Sequence, residues 1–187
     1  MSALDWEAWW SPYDEPTYQA ALTFIQLDDV VYDIGAGDLR FALQAAQRAQ
    51  QVIAVEKNQS VLQRALGPAA RLRVICADAL ELPVPPGVTV AVLLMRHCRH
   101  FADYVAHLRA AGCRRLITNA RWGMGVECLS LSPQTVFHAA EPGWYACVCG
   151  RVGFKPCPPE AITSEMLQRD QSLEDCPACN PAELVSG

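Results

Sequence analysis

Three acids and two glycines stand in this chain where simple chain geometry would gather them. Val30-Val31-Tyr32-Asp33-Ile34 is an apolar run carrying an acid near its end, and Gly35-Ala36-Gly37 follows at once. Its β-branched composition is that of a buried parallel strand. Glycines at 35 and 37 allow a sharp turn and close approach to a ligand, while Leu39, Ala42, Leu43, Ala46 and Ala49 fall at helical spacing. A strand, a glycine turn and a helix N-terminus therefore meet, and free N–H groups there favour a carboxylate or phosphate. Two more short strands, Gln51 to Val55 and Leu72 to Cys76, run into Glu56 and into Ala77-Asp78-Ala79. The acids recur roughly every twenty residues, one βα unit per step, which sets three carboxylates at neighbouring strand tips. Each acid taken singly has another use, capping the helix that follows.

A second constellation is sulfur. Nine cysteines are present, and Cys147, Cys149, Cys157, Cys176 and Cys179 crowd the C-terminal part. In a reducing compartment such a cluster reads as metal ligands rather than disulfides. Cys147-Val148-Cys149-Gly150 and Cys176-Pro177-Ala178-Cys179 form two knuckles, each offering a pair of thiolates with backbone N–H groups toward the sulfurs, as tetrahedral Zn2+ requires. The pairing resembles a zinc ribbon, with Cys157 a spare ligand. A segment this short lacks a sufficient apolar core of its own, whereas structural zinc supplies roughly 10–16 kcal/mol. Residues 141–187 are accordingly expected to be a zinc-ribbon-like segment.

The elements that must position these groups follow from periodicity. Residues 1–28 read as an N-terminal arm and helix, with the helical pattern from Tyr18 to Ile25 and start signals at Asp14 and Pro16. Trp6, Trp9 and Trp10 in the arm either line a substrate groove or pack onto the core. Residues 29–140 read as an α/β core. Val88 to Met95 is the longest apolar run and the expected central fourth strand, emptying into Arg96-His97-Cys98-Arg99-His100. His97 and His100 are candidate proton acceptors, or metal ligands together with Cys98. Phe101 to Ala111 is an expected helix facing the sheet with Val105, Leu108 and Ala111, and Arg114 to Ala120 a fifth strand. The connection Arg121 to Gly125 is too short for a helix, so Val126 to Leu131 becomes strand six and Thr135 to Ala139 the start of an antiparallel strand seven at the sheet edge. The fold class is thus a Rossmann-like, mostly parallel sheet with helices on both faces, plus the small ribbon.

Composition narrows the partners. A net charge of −5 and a pI near 5.3 provide no global basic field for nucleic acid. No apolar run reaches the roughly eighteen residues of a membrane span, and MSALDWEAWW lacks the basic and aliphatic pattern of a signal peptide, so no membrane partner and a cytoplasmic location are expected.

A dinucleotide fingerprint would need a third glycine where Arg40 stands, which argues against nicotinamide and flavin. The sequence resembles instead motif I of the class I S-adenosylmethionine (SAM) dependent methyltransferases, D-x-G-x-G, matched by Asp33, Gly35 and Gly37, with Leu39 where a third glycine is frequent. Over roughly residues 11 to 131 it is similar to the seven-strand protein-lysine methyltransferases that act on ATP synthase and the adenine nucleotide carrier, and to their bacterial relatives. Pro12, Tyr13, Thr17, Val30, Val31, Tyr32, Asp38 and Arg40 add to that likeness. The resemblance implies that Gly35 and Gly37 admit the methionine end of SAM, that Glu56 holds the ribose, and that Asp78 with Ala79 meets the adenine. It also turns the end of strand four toward the transferred methyl, making His97 and Tyr13 candidate proton acceptors and Trp122 a substrate contact. No D/N-P-P-Y sequence follows strand four, which counts against base-amine methylation. A protein lysine is the implied acceptor. Alternatives are an RNA acceptor gripped by the ribbon, and a non-catalytic interaction module in which Leu39 closes the loop.

Overall fold

The computed structural model describes residues 11–65, 69–121, 125–133 and 135–179. Its first helix, α1, spans Glu15–Leu22, where Asp14 accepts the Thr17 N–H and Pro16 occupies the first turn. Helix formation therefore begins one turn earlier than the apolar pattern alone suggests. Then come β1 (Val30–Ile34), α2 (Arg40–Ala45), β2 (Gln51–Glu56), α3 (Gln59–Leu62), β3 (Leu72–Cys76), β4 (Val90–Leu93), α4 (Phe101–Ala110), β5 (Arg115–Thr118) and β6 (Glu127–Ser130).

These strands form one six-stranded sheet in the order β3-β2-β1-β4-β5-β6. All neighbours are parallel except β6, which pairs antiparallel with β5, Thr118 opposite Glu127 and Arg115 opposite Ser130. A parallel return needs a crossover of a dozen or more residues, and residues 119–126 are too few. The antiparallel edge is therefore strand six, and the expected strand seven is instead a 3-10 turn at Phe137–Ala139.

Alternation along the strands divides the core. Tyr32, Ile34, Ile53, Val55, Ala91, Leu93 and Leu116 face α4, which presents Phe101, Tyr104, Val105 and Leu108. Ala111 lies past the end of α4 and is exposed, because the stripe of burial starts at Phe101 and closes at Leu108. On the other face Val31, Val52, Ala54, Val90, Val92 and Ile117 meet α1 and α2 through Ala21, Leu22, Phe41 and Ala42. At the amino tips, buried Asp29 accepts two bonds from Arg115 Nη2, at 2.6 and 2.8 Å, and one from Thr89 Oγ1 at 2.7 Å. This ion pair ties the starts of β1, β4 and β5 together.

A second, three-stranded sheet follows. β7 (Gly143–Cys147) pairs antiparallel with β8 (Val152–Lys155) and parallel with β9 (Asp170–Leu173), with a short helix α5 (Ser164–Gln168) before β9. Lys155 Nζ donates to the carbonyls of Phe137, His138 and Ala140, and Arg109 of α4 bonds both carboxylate oxygens of Glu174 at 2.9 and 3.0 Å. Among the described residues no helix is long and apolar enough to cross a membrane.

Candidate functional site

A cleft of about 1150 Å³ opens at the carboxyl ends of β1 to β4. It lies where the strand order reverses between β1 and β4, the usual ligand crevice of open α/β sheets. Asp33, Gly35, Glu56, Asp78 and Ala79 all line it, so the three acids expected at neighbouring tips do converge.

The glycine bend is built differently from the simple expectation. Gly35 and Ala36 donate their N–H groups to the Val55 carbonyl at 2.9 and 3.0 Å, and Gly37 N–H donates to Glu56 Oε2 at 2.9 Å. These amides are therefore engaged by β2 instead of being offered to a bound phosphate or carboxylate. Gly35 turns at φ +69°, and a Cβ there would come within 3.1 Å of Met95 Cε. Leu39 adopts the left-handed conformation, φ 68° and ψ 11°, that a glycine would take without strain. Its side chain is buried in the core beneath α2 and does not line the cleft, so the bend keeps its shape and the hollow stays open.

With the amides occupied, carboxylates dominate the β1 to β3 side. Asp33 is 3 % exposed, and its Oδ2 is buried without a hydrogen-bond partner. Burial, and then the nearby Glu56 carboxylate, push its pKa up to about 7. Glu56 accepts from Gly37 N–H and, at 2.7 Å, from Asn58 N–H. That uses two of its four or so acceptor positions and leaves the rest for a ligand. Asp78 accepts from Leu80 N–H at 3.0 Å and lies 3.9 Å from Lys57 Nζ. Helix α3 is capped by Asn58, not by Glu56, which removes the capping reading for that acid. A dense acidic wall with few open amides suits a cationic ligand better than a pyrophosphate.

The β4 side is basic. Met95 to Cys98 make a tight turn, with Cys98 N–H bonded to Met95 O at 3.2 Å, and His97 sits at φ +58° on the cleft wall. Arg96, Arg99 and His100 line the same wall. His100 Nδ1 is 3.1 Å from Asp103 Oδ2 across the first turn of α4. The Tyr13 hydroxyl accepts the Arg96 N–H at 2.9 Å, with the Arg96 guanidinium 5.8 Å from its ring centre, so the N-terminal arm is bound to this turn. His97, Cys98 and His100 do not converge as metal ligands among the described residues. Trp122, Trp6, Trp9 and Trp10 lie outside the described residues.

The arginines at 96 and 99, with Tyr18, Phe41 and Tyr104, complete the cleft walls. Sequence reasoning passed over them because charge and aromaticity in loops and helices carry no periodicity pointing at a ligand. Beside β5, Arg121 is buried in an ion pair with Glu127, leaving its Nη1 and both amide atoms of Asn119 buried without partners. No pattern in the sequence announces them.

Cys147, Cys149, Cys176 and Cys179 bring their sulfurs within 4.8 Å of one another. Three of the Sγ–Sγ distances, 147–179, 149–176 and 176–179, are 3.7 Å. A tetrahedron of sulfurs around zinc at ~2.3 Å has edges of about 3.8 Å, so the spacing fits a single metal ion and excludes disulfides at ~2.05 Å. Each knuckle closes by a turn, Gly150 N–H to Cys147 O and Cys179 N–H to Cys176 O, both 3.0 Å, and Cys176 N–H points at Cys179 Sγ at 3.2 Å. Cys157 is not one of the four. Burial drives the Cys147 thiol well above its ordinary range, a penalty that a bound cation would offset.

The sheet order and its cleft are those of a Rossmann-like α/β fold of the methyltransferase type. Residues 31–118 match the family model described as a methyltransferase domain. Among solved structures, the chain is similar to precorrin-8W decarboxylase from Methanobacterium thermoautotrophicum, with 18% identity, a TM-score of 0.50, and 60% of this chain and 66% of that one covered. It is also similar to YcgJ from Bacillus subtilis, at 17% identity and TM-score 0.48 over 56% of this chain and 50% of that one. A third is an RNA methyltransferase from Salinibacter ruber in complex with S-adenosylhomocysteine, at 18% identity and TM-score 0.47 over 67% and 84% of the two chains. At such identity the likeness is one of fold, and the chain spans 66% of the length of the first of these structures and 50% of the second. No curated protein matches the chain.

Proposed function

We propose that this protein is a SAM-dependent methyltransferase acting on a nitrogen nucleophile, a protein lysine, with a C-terminal ribbon built on one zinc ion. The observation that carries the cofactor reading is the buried, unpartnered Asp33 carboxylate, flanked in one cleft by Glu56 and Asp78. A ligand bearing an ammonium and a sulfonium supplies the cation this carboxylate lacks. Asp33, beside the bend at Gly35, would take the ammonium of the methionine end, Glu56 the ribose hydroxyls, and Asp78 with Ala79 the adenine. SAM, when bound, would supply an activated methyl group to the acceptor nitrogen.

The remaining work falls to alignment and to the acceptor's proton. A lysine amine has an ordinary pKa of about 10.4, so presenting it neutral at pH 7 costs roughly 4–5 kcal/mol. Arg96 and Arg99 on the cleft wall disfavour the ammonium form and favour the free amine. His97 on the same wall is the proposed proton acceptor. Tyr13, whose hydroxyl already accepts from Arg96 N–H, holds the turn that carries it.

A protein acceptor is favoured over RNA by the ribbon's charge. Residues 141–179 hold six acids against three bases, a surface that repels phosphate and suits a basic protein segment. The deciding experiment incubates the protein with methyl-labelled SAM and fractionated cell extract. Label in protein, released as methyl-lysine on hydrolysis, supports the reading, and label confined to RNA or small molecules refutes the acceptor. For the ribbon, freshly purified protein should carry one zinc per chain, unchanged in Cys157→Ser. Clearly less than one zinc would reject the metal site.

A further inference from the structure

Packing runs without a break from the cysteine cluster to the basic wall of the cleft. Gly150, in the first knuckle, turns at φ +90°, and a Cβ there would lie 2.7 Å from Phe101 Cδ1 and 3.4 Å from Cγ and Cε1. The Phe101 ring thus lies flush against the knuckle. Phe101 opens α4 and follows directly on the turn that bears His97 and Arg99. Phe101 and Tyr104 share one buried cluster with Cys147, Val148 and Cys176, and Met95, Cys98 and Cys149 pack against it. Of these, Met95, Cys98 and Tyr104 also line the cleft. Lower on α4, the Arg109–Glu174 pair fastens the helix to the segment just before Cys176.

We infer that Phe101 is a positioning residue through which metal in the four-cysteine site sets the geometry of the cleft wall, so that metal and cofactor binding are energetically coupled. This rests on the zinc and SAM readings above. Without the metal, the four thiols have no common partner, the knuckle loses its fixed shape, and the surface against which Phe101 is held is lost. The turn at residues 95–100, anchored at one end by β4 and by Tyr13 on Arg96 N–H and at the other by Phe101, then loses its anchor on the α4 side. By linkage, the factor by which zinc tightens the cofactor equals the factor by which cofactor tightens zinc.

The test measures S-adenosylhomocysteine affinity calorimetrically for zinc-loaded wild type, chelator-stripped wild type and zinc-loaded Phe101→Leu. The expected result is weakening by about tenfold in both altered forms, within the usual range of such couplings. Saturating S-adenosylhomocysteine should raise zinc affinity by the same factor in wild type, measured by competition with a chromophoric chelator, and not in Phe101→Leu. A purely structural role for Phe101 would lower thermal stability while leaving both affinities unchanged. That result overturns the inference. If stripping the metal unfolds the chain, the Phe101→Leu arm decides alone. Failure of zinc-loaded wild type to bind S-adenosylhomocysteine would overturn the cofactor reading and the inference with it, whereas binding that survives both perturbations overturns only the inference.

Discussion

Replacing Asp33 by asparagine removes a buried ionisable group while keeping its shape, and the consequences for stability and binding have opposite signs. Asp33 has its pKa raised from 3.8 to about 7, by burial first and by Glu56 second. A raised acid favours the fold while protonated. Its contribution is fully present below pH 3.8 and is lost as pH climbs through 7. Three pKa units at about 1.4 kcal/mol each give a loss of roughly 4 kcal/mol across that window. In Asp33→Asn this loss is absent, so at pH 8 the variant should exceed the wild type in unfolding free energy by up to about 4 kcal/mol, with the gap closing near pH 4. Binding should run the other way. A cationic cofactor favours the ionised carboxylate, so wild-type SAM affinity should rise with pH toward 7 and binding should release up to one proton. The variant should bind more weakly and without that proton. Urea titrations at several pH values, and calorimetry in two buffers of different ionisation enthalpy, measure both. Identical pH profiles for the two proteins, or proton release that survives in Asp33→Asn, would refute the reasoning.

Glu56→Gln turns an amide donor toward Gly37 N–H or Asn58 N–H, both of which now donate to the carboxylate. SAM affinity should fall at least tenfold by calorimetry, and unchanged affinity would remove Glu56 from the site. Asp29→Ala leaves Arg115 beside an emptied pocket at the opposite end of the sheet. Denaturant titration should show a loss of about 3–5 kcal/mol, with cofactor affinity of the folded protein unaltered. Leu39→Gly relieves a left-handed leucine worth about 1–2 kcal/mol but empties a buried site worth about 2–5 kcal/mol, for a net loss of stability. Because Leu39 is not on the cleft wall, cofactor affinity should stay within a few-fold of wild type.

The parts of the fold that could be read from the sequence are those where one local signal has one structural meaning. Val30 to Ile34 and Leu72 to Cys76 form strands at the bounds their β-branched runs indicate, and the tips carrying Asp33, Glu56 and Asp78 meet because parallel strands must bring their carboxyl ends to one edge. The cysteine knuckles were legible for the same reason, since thiolate pairs beside Gly150 and Pro177 have few other uses. Misreadings arose where several weak signals competed. Thr135 to Ala139 has strand composition, but Lys155 draws the carbonyls of Phe137, His138 and Ala140 onto one ammonium and folds the segment into a turn. Ala111 keeps the helical period yet lies beyond the last buried turn. The amides of the glycine bend were expected to face a ligand, and only the register of β1 against β2, Ile34 opposite Val55, reveals that they bond to the neighbouring strand. Nothing local in the sequence marks Asp29, because its partners Thr89 and Arg115 are sixty and eighty-six residues away in the chain.

That distant trio gives the central strands a stiff end and a soft end. Held by a charge pair at their beginnings and bordered by a void at their tips, β1 and β4 resemble prongs fixed at the base. Breathing motions that admit a nucleoside must then grow along each prong from base to tip, and amide exchange should quicken in the same direction, slowest at Val31 and Val90 and fastest around Met95.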